Sequence, residues 1–161
     1  ETLIEAVSKI PKSGLLIGGG WHADLGTQYI ASINEHSHRL LPDRCKWLGF
    51  VSDEDLPMMY GAVDVVVYPS IIATESGALL MAMNHGKAVI ASRLAPFREK
   101  EKLGALTTFK GVNNLAKKIR KVLRDDEYRA SLEAGARKYV EANSWEKVAE
   151  QHINLYEDLW V

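Results

Sequence analysis

The residues from Pro69 to His85 carry the most chemical promise in this sequence. Pro69-Ser70 ends an apolar run, and Glu75-Ser76-Gly77-Ala78 opens a helical pattern whose interior reads Leu79-Leu80-Met81-Ala82-Met83. A helix start offers free N–H groups and the positive end of the dipole, a combination suited to a diphosphate. Gly77 lets a ligand come close to the backbone there. The same stretch also fits a capped core helix, because its Leu and Met residues form an apolar face. Gly18-Gly19-Gly20 follows the short apolar run Leu15-Leu16-Ile17 and could admit a ligand in the same way. A plain strand-end turn competes with that role, since Ala23 stands where a dinucleotide fingerprint needs its third glycine. Gly49-Phe50-Val51-Ser52 is the third candidate loop, with a simple helix cap as its alternative.

Other reactive side chains carry less. His22, His36, His38, His85 and His152 never fall at metal-ligand spacing with Cys or carboxylates, so no metal site is expected. Cys45 lies in an apolar strand pattern and reads as a small buried residue. Lys117, Lys118, Arg120, Lys121 and Arg124 make a basic helix face, which reads as solvated; a lipid-linked acceptor would turn it into a membrane contact.

The elements that must hold these loops alternate. Leu3, Ile4, Val7 and Ile10 repeat at helical spacing, and Pro11 to Gly14 breaks that helix. Strands are expected at 15–17, 45–51, 64–68, 88–91 and, more weakly, 105–109. Helices are expected around Tyr29, Ile30 and Ile33, after a Ser52 cap through Val63, and over 75–85. Beyond Asn113 the pattern is wholly helical, with a cap at Asn143 or Ser144 before the Trp145 stripe. Strands separated by helices need crossovers, which gives an α/β open parallel sheet with helices on both faces. Ligands of such a sheet bind beyond the carboxyl ends of the strands. The chain opens in a helical pattern where such a fold begins with a strand, so a first strand is expected upstream of Glu1.

Composition bounds the function. The 161 residues are 47% hydrophobic and 25% charged, as in an ordinary globular chain, and no linker or repeat divides 1–161 into more than one domain. Twenty Lys and Arg against 21 Asp and Glu give a net charge of -1, which argues against a nucleic-acid binder. No apolar run reaches the roughly 20 residues of a membrane span, and the amphipathic opening does not read as a secretory leader. A lone cysteine fits a reducing cytosol.

Several segments together resemble a family. Gly49-Phe50-Val51-Ser52-Asp53-Glu54-Asp55-Leu56-Pro57 and Tyr60-Gly61-Ala62-Val63-Asp64-Val65-Val66-Val67-Tyr68-Pro69-Ser70 are similar to the nucleotide-sugar-binding half of family 4 GT-B glycosyltransferases. Ala82 to Ala91 continues the likeness, and Ser144-Trp145-Glu146-Lys147-Val148-Ala149 with Leu155-Tyr156 closes it. The resemblance implies a Rossmann-like fold and transfer of sugar from a nucleotide diphosphate sugar to an acceptor hydroxyl. It further implies retained configuration, no metal or other cofactor, and an N-terminal acceptor-binding domain as partner. By position, Phe50 and Val51 would flank the base, and Gly19 with Gly20 would lie at the donor cleft. The N–H groups of Ser76, Gly77, Ala78 and Leu79 would hold the diphosphate, while the Trp145 helix would pack towards the N-terminal half.

The sequence also departs from the family pattern of two glutamates separated by seven residues. Ungapped counting puts those places at Ala73 and Met81, and counting from Glu75 puts the second at Met83. Glu75 could supply the donor-side carboxylate shifted by two residues, or could simply be a helix-start glutamate favoured by the dipole. Loss of the second carboxylate leaves a competing reading open, that of a degenerate module kept for structure or partner binding. An epimerase of the same architecture would need acidic and histidine groups that this chain does not clearly show.

Overall fold

The computed structural model describes residues 1–20 and 27–159. The order is α1 (Thr2–Ser8), β1 (Leu15–Gly18), α2 (Thr27–Leu40), β2 (Cys45–Gly49), α3 (Leu56–Gly61), β3 (Val66–Tyr68) and α4 (Gly77–Asn84). It continues with β4 (Val89–Ser92), α5 (Ala95–Lys102), β5 (Thr107–Phe109), α6 (Val112–Arg124), α7 (Asp126–Ala142) and α8 (Trp145–Leu159). Every strand pairing is parallel, as the alternation demands.

The strands form two hydrogen-bonded sets, β1–β2 and β3–β4–β5, rather than one continuous ladder. One edge of β1 and one edge of β3 therefore have no partner among the described residues. Exposure follows that break: Val89, Ile90 and Ala91 of β4 are wholly buried, whereas all three residues of β3 are only half-buried.

Strand β4 shows how two cores form. Ile90 faces a cluster with Ile4 and Val7 of α1, Ile33 of α2 and Leu115 and Ile119 of α6. Its neighbours Val89 and Ala91 face the opposite cluster, with Tyr60 of α3, Leu79 and Met83 of α4, Phe97 of α5 and Ala136 of α7. Alternate side chains thus enter layers on both faces, which is why the strand is apolar throughout.

Three local expectations change. Helix α5 breaks what reads as a simple strand-to-strand passage; Pro96 at its start and buried Phe97 and Lys100 at helical spacing are the signal for it. Ser52 organises a turn with Asp55, accepting from its backbone N–H at 3.3 Å, and Asp55 itself holds the N-cap position of α3. Helix α8 begins where expected, with Ser144 accepting from the Lys147 N–H at 3.4 Å, yet none of its residues is buried and Trp145 is 86% exposed. No described helix is long and apolar enough to cross a membrane.

Candidate functional site

The start of α4 is built from Ser76 outward. Ser76 takes an extended backbone, and its buried hydroxyl accepts from the Leu79 N–H at 3.1 Å. Its carbonyl accepts from the Leu80 N–H at 3.1 Å. The N–H groups of Gly77 and Ala78 have no partner among the described residues, and both residues are exposed. Of the four N–H groups expected to face a diphosphate, those of Gly77 and Ala78 belong to exposed residues and remain on offer; the Ser76 N–H also has no partner among the described residues but its residue is buried, and that of Leu79 is committed to the cap. Nothing lies within 4 Å of a Cβ added at Gly77, so the approach to these donors is open.

Glu75 immediately precedes the cap, and both of its carboxylate oxygens accept from Lys100 Nζ, at 2.8 and 2.9 Å. Lys100 is only 5% exposed and its ammonium lies 5.2 Å from the Tyr139 ring centre, so α5 and α7 together fix the pre-helix loop. Burial lowers the pKa of Lys100, but hydrogen bonds to Glu75 and Tyr139 outweigh it and hold the ammonium above its ordinary range. The Glu75 side chain keeps 57% of its surface exposed, so the carboxylate is oriented without being sealed off.

The two places counted for a second carboxylate are now distinguishable. Met83 is fully buried in the core and cannot meet a ligand, whereas Met81 is partly exposed on α4. Ala73 is half-buried in the loop that leads to Glu75.

The second group of candidates gathers at the ends of β1 and β2. The Gly19 N–H donates to the Gly49 carbonyl at 2.8 Å, and the register slips between Ile17 and Gly18 so that Gly18 faces Gly49. Gly19 has φ +133 and Gly49 φ +67, backbone that favours glycine. A Cβ at Gly18 would fall 2.7 Å from Met59 Sδ and 3.2 Å from Val51 Cγ2, whereas Gly19 and Gly20 have nothing within 4 Å. Phe50 is 84% exposed at this tip, beside a half-buried Val51. Met59 in turn packs against the cluster that contains Leu79, so α3 ties this tip to the first turn of α4.

Titratable groups elsewhere have structural partners. Burial raises the pKa of the Cys45 thiol despite a hydrogen bond with Ser37, but the residue is half-buried against the edge of the core rather than fully buried as its strand pattern suggests. Among the described residues no three His, Cys, Asp or Glu side chains gather as metal ligands, and His22 lies outside them. On the basic face of α6, Lys118 donates to Thr107, Arg120 to the Lys9 carbonyl at 2.6 Å, and Lys121 sits 3.7 Å over the Tyr128 ring.

A parallel α/β layer structure with an open helix start beyond its strands is an architecture that nucleotide-binding domains share. The chain belongs to the group 1 glycosyltransferases, whose family model ("Glycosyl transferases group 1") matches residues 1–139. It is 30% identical over 164 aligned positions to D-inositol 3-phosphate glycosyltransferase of Corynebacterium urealyticum, covering 98% of this chain and 38% of that protein. It is 32% identical over 112 positions to O-antigen chain mannosyltransferase B of Escherichia coli, covering 69% of this chain and 29% of that one. Among solved structures, sucrose-phosphate synthase from Thermosynechococcus elongatus superposes with a TM-score of 0.83 at 28% identity, over 99% of this chain and 41% of that chain. HepE of Anabaena in complex with UDP-glucose superposes with a TM-score of 0.78 at 25% identity, over 98% and 44%. The chain thus spans well under half the length of these relatives.

Proposed function

We propose that this domain is the donor-binding, C-terminal half of a retaining glycosyltransferase, holding a nucleotide diphosphate sugar for transfer to an acceptor hydroxyl. The observation that carries this is the pair of unpartnered N–H groups at Gly77 and Ala78, fixed by the Ser76 cap and open to solvent. The diphosphate would accept from both, aided by the helix dipole. The α3 bridge from Gly18 through Met59 to Leu79 supports placing Gly19, Gly20, Phe50 and Val51 beside the same ligand, with Phe50 against the base. Binding of UDP-glucose by HepE supports a nucleotide sugar as the donor class.

Catalysis at such a site rests on positioning and on stabilising negative charge as the diphosphate departs. Those requirements are met by backbone donors, so neither metal nor cofactor is invoked. Glu75, oriented by Lys100, serves as the donor-side carboxylate. An acceptor-binding N-terminal domain completes the cleft. A strand from that side of the chain, inserted between the unpaired edges of β1 and β3, would join the two sets into one sheet. The single cysteine supports a cytosolic setting. Membrane contact through α6 is reserved for Lys117 and Arg124, whose side chains have no partner among the described residues.

The absence of a carboxylate at Ala73 and Met81 favours one second reading, a module that keeps the fold without catalysis. Calorimetric titration with UDP, GDP and ADP separates the readings at the binding step, since donor binding requires a saturable signal with one of them at millimolar ligand. Turnover by the protein containing this domain, and its loss on Glu75→Gln, separates them at the chemical step.

A further inference from the structure

We infer that Met81 makes this site select a 2′-deoxyribonucleoside diphosphate sugar over the ribonucleotide form; the inference rests on the donor-binding reading above. The exposed residues of α4 are Gly77, Ala78, Met81 and Asn84. Met81 follows Gly77 by four positions and Ala78 by three, so it stands on their face, one turn further along the helix. Side chains on a helix lean towards its N-terminus, so the Met81 thioether covers the turn that carries the two unpartnered N–H groups. Gly77 puts no side chain into that space, and nothing lies within 4 Å of a Cβ added there. A group bonded to a phosphate at these donors therefore has the Met81 side chain as its neighbour on the helix. Asn84, the next exposed polar side chain on that face, lies about 10 Å further along the axis than Gly77.

The diphosphate of a nucleotide sugar is flanked by two sugar rings, and the site offers its two ends different surroundings. Towards β3 they are polar. Glu75 holds an oriented carboxylate there. The loop before it runs back to Ser70, which lines a cavity of about 500 Å³ at the tips of β3, β4 and β5 together with Ser92, Arg93, Arg98 and Lys110. That end suits a ring with many hydroxyls. Towards α3 the surroundings are apolar: Met59 packs in one cluster with Leu79, and the tip beyond it carries Phe50 and Val51. With the base against Phe50, the pentose is the ring that joins this tip to the α4 donors, and it comes against Met81.

A thioether is a weak acceptor, so it leaves a ribose 2′-hydroxyl without the partner that water gave it. A polar group covered without a partner costs free energy, whereas the deoxy ring brings no such group. Apolar surroundings cannot strongly reject an added hydroxyl, so the ribonucleotide still binds, at lower affinity. Met81 stands at one of the places counted for a second glutamate, and a carboxylate there would reverse the preference by accepting from the hydroxyl.

The test titrates the chain calorimetrically with three pairs, UDP and 2′-deoxy-UDP, GDP and 2′-deoxy-GDP, and ADP and 2′-deoxy-ADP, alongside Met81→Gln and Met81→Leu. In the pair that binds most tightly, the deoxy member is expected to bind about three- to tenfold more tightly than its ribose counterpart. Met81→Gln should reverse that order, read as the ratio within the pair so that a general change in affinity cancels, and Met81→Leu should keep it. Equal affinity within the pair, preference for the ribose member, or a ratio that Met81→Gln leaves unchanged would overturn the inference while the donor reading stands. Silence from all six nucleotides at millimolar ligand would strike the donor reading itself, and this inference with it.

Discussion

Helix α4 and helices α5 and α6 all begin beyond strand ends, but their first turns are finished differently. At α4 a buried Ser76 hydroxyl caps the helix, and the loop before it is pinned by Glu75 to a buried Lys100. Two N–H groups are left over in a fixed geometry. At α5 and α6 no side chain caps the start, and the positive charge is carried by the exposed Arg93, Arg98 and Lys110. The first arrangement can place a ligand to within the tolerance that group transfer needs, because its donors are backbone atoms held from two sides. The second can attract and retain an anion but orients it through flexible side chains. Held charge suits a ligand that must be aligned for transfer, which favours the start of α4 over those of α5 and α6 as the donor site.

The largest expected perturbation acts on what holds α4. A Cβ at Gly135 of α7 would fall 2.0 Å from the Gly104 carbonyl oxygen, a clash that only backbone movement relieves. Gly135→Ala should cost about 3 kcal/mol, near the upper end for overpacking, read as a lower denaturation midpoint. Since Ala136 of α7 packs in one cluster with Leu79 and Met83, UDP affinity should fall as well. Next is Lys100→Met, which frees Glu75 from its partner; because that carboxylate is more than half exposed, a loss of about 1–2 kcal/mol is expected. UDP binding should weaken as well, read by calorimetric titration, because the loop before α4 loses its anchor. With its pKa raised, Lys100 contributes stability fully below its ordinary value of 10.5 and loses it as pH rises through the folded value. The Lys100→Met variant should lack that alkaline slope.

Ser76→Ala removes the cap and should cost about 1 kcal/mol, with Ser76→Asp restoring most of it. The smallest effect belongs to the α5–β5 junction. Burial there raises the pKa of Glu101, but hydrogen bonds from the Thr108 hydroxyl and N–H, the Lys118 charge and the Thr107 hydroxyl outweigh it, so the pKa lies below 4.5. Its contribution is present above 4.5 and lost as pH falls through the depressed value. Glu101→Gln should flatten the acid limb of a stability profile by less than about 1 kcal/mol.

Much of this was legible in the sequence because a parallel sheet demands β-branched runs and helices between them. Val65-Val66-Val67 and Ala88-Val89-Ile90-Ala91 declare strands covered on both faces, and Ser76-Gly77 declares a helix start. Helix α5 was harder to read, since its one large apolar residue is Phe97, followed by Arg98, Glu99, Lys100, Glu101 and Lys102. Its burial comes from tertiary packing rather than from an amphipathic stripe. The Lys100–Glu75 pair spans 25 residues, and local spacing says nothing about pairs so distant. The same holds for the cavity at β3 to β5, because Ser70, Arg93 and Lys110 meet only once two crossovers have brought their strand ends side by side.

The most direct measurement is a UDP titration of the chain followed residue by residue in amide nuclear magnetic resonance spectra. Saturating shifts of the Gly77 and Ala78 amides, with smaller ones at Gly19, Phe50 and Val51 and none at Arg93 or Lys110, are the expected result. Saturation that leaves Gly77 and Ala78 unmoved, or that shifts Arg93, Lys110 and Gly111 instead, would contradict the assignment of the donor diphosphate to the start of α4.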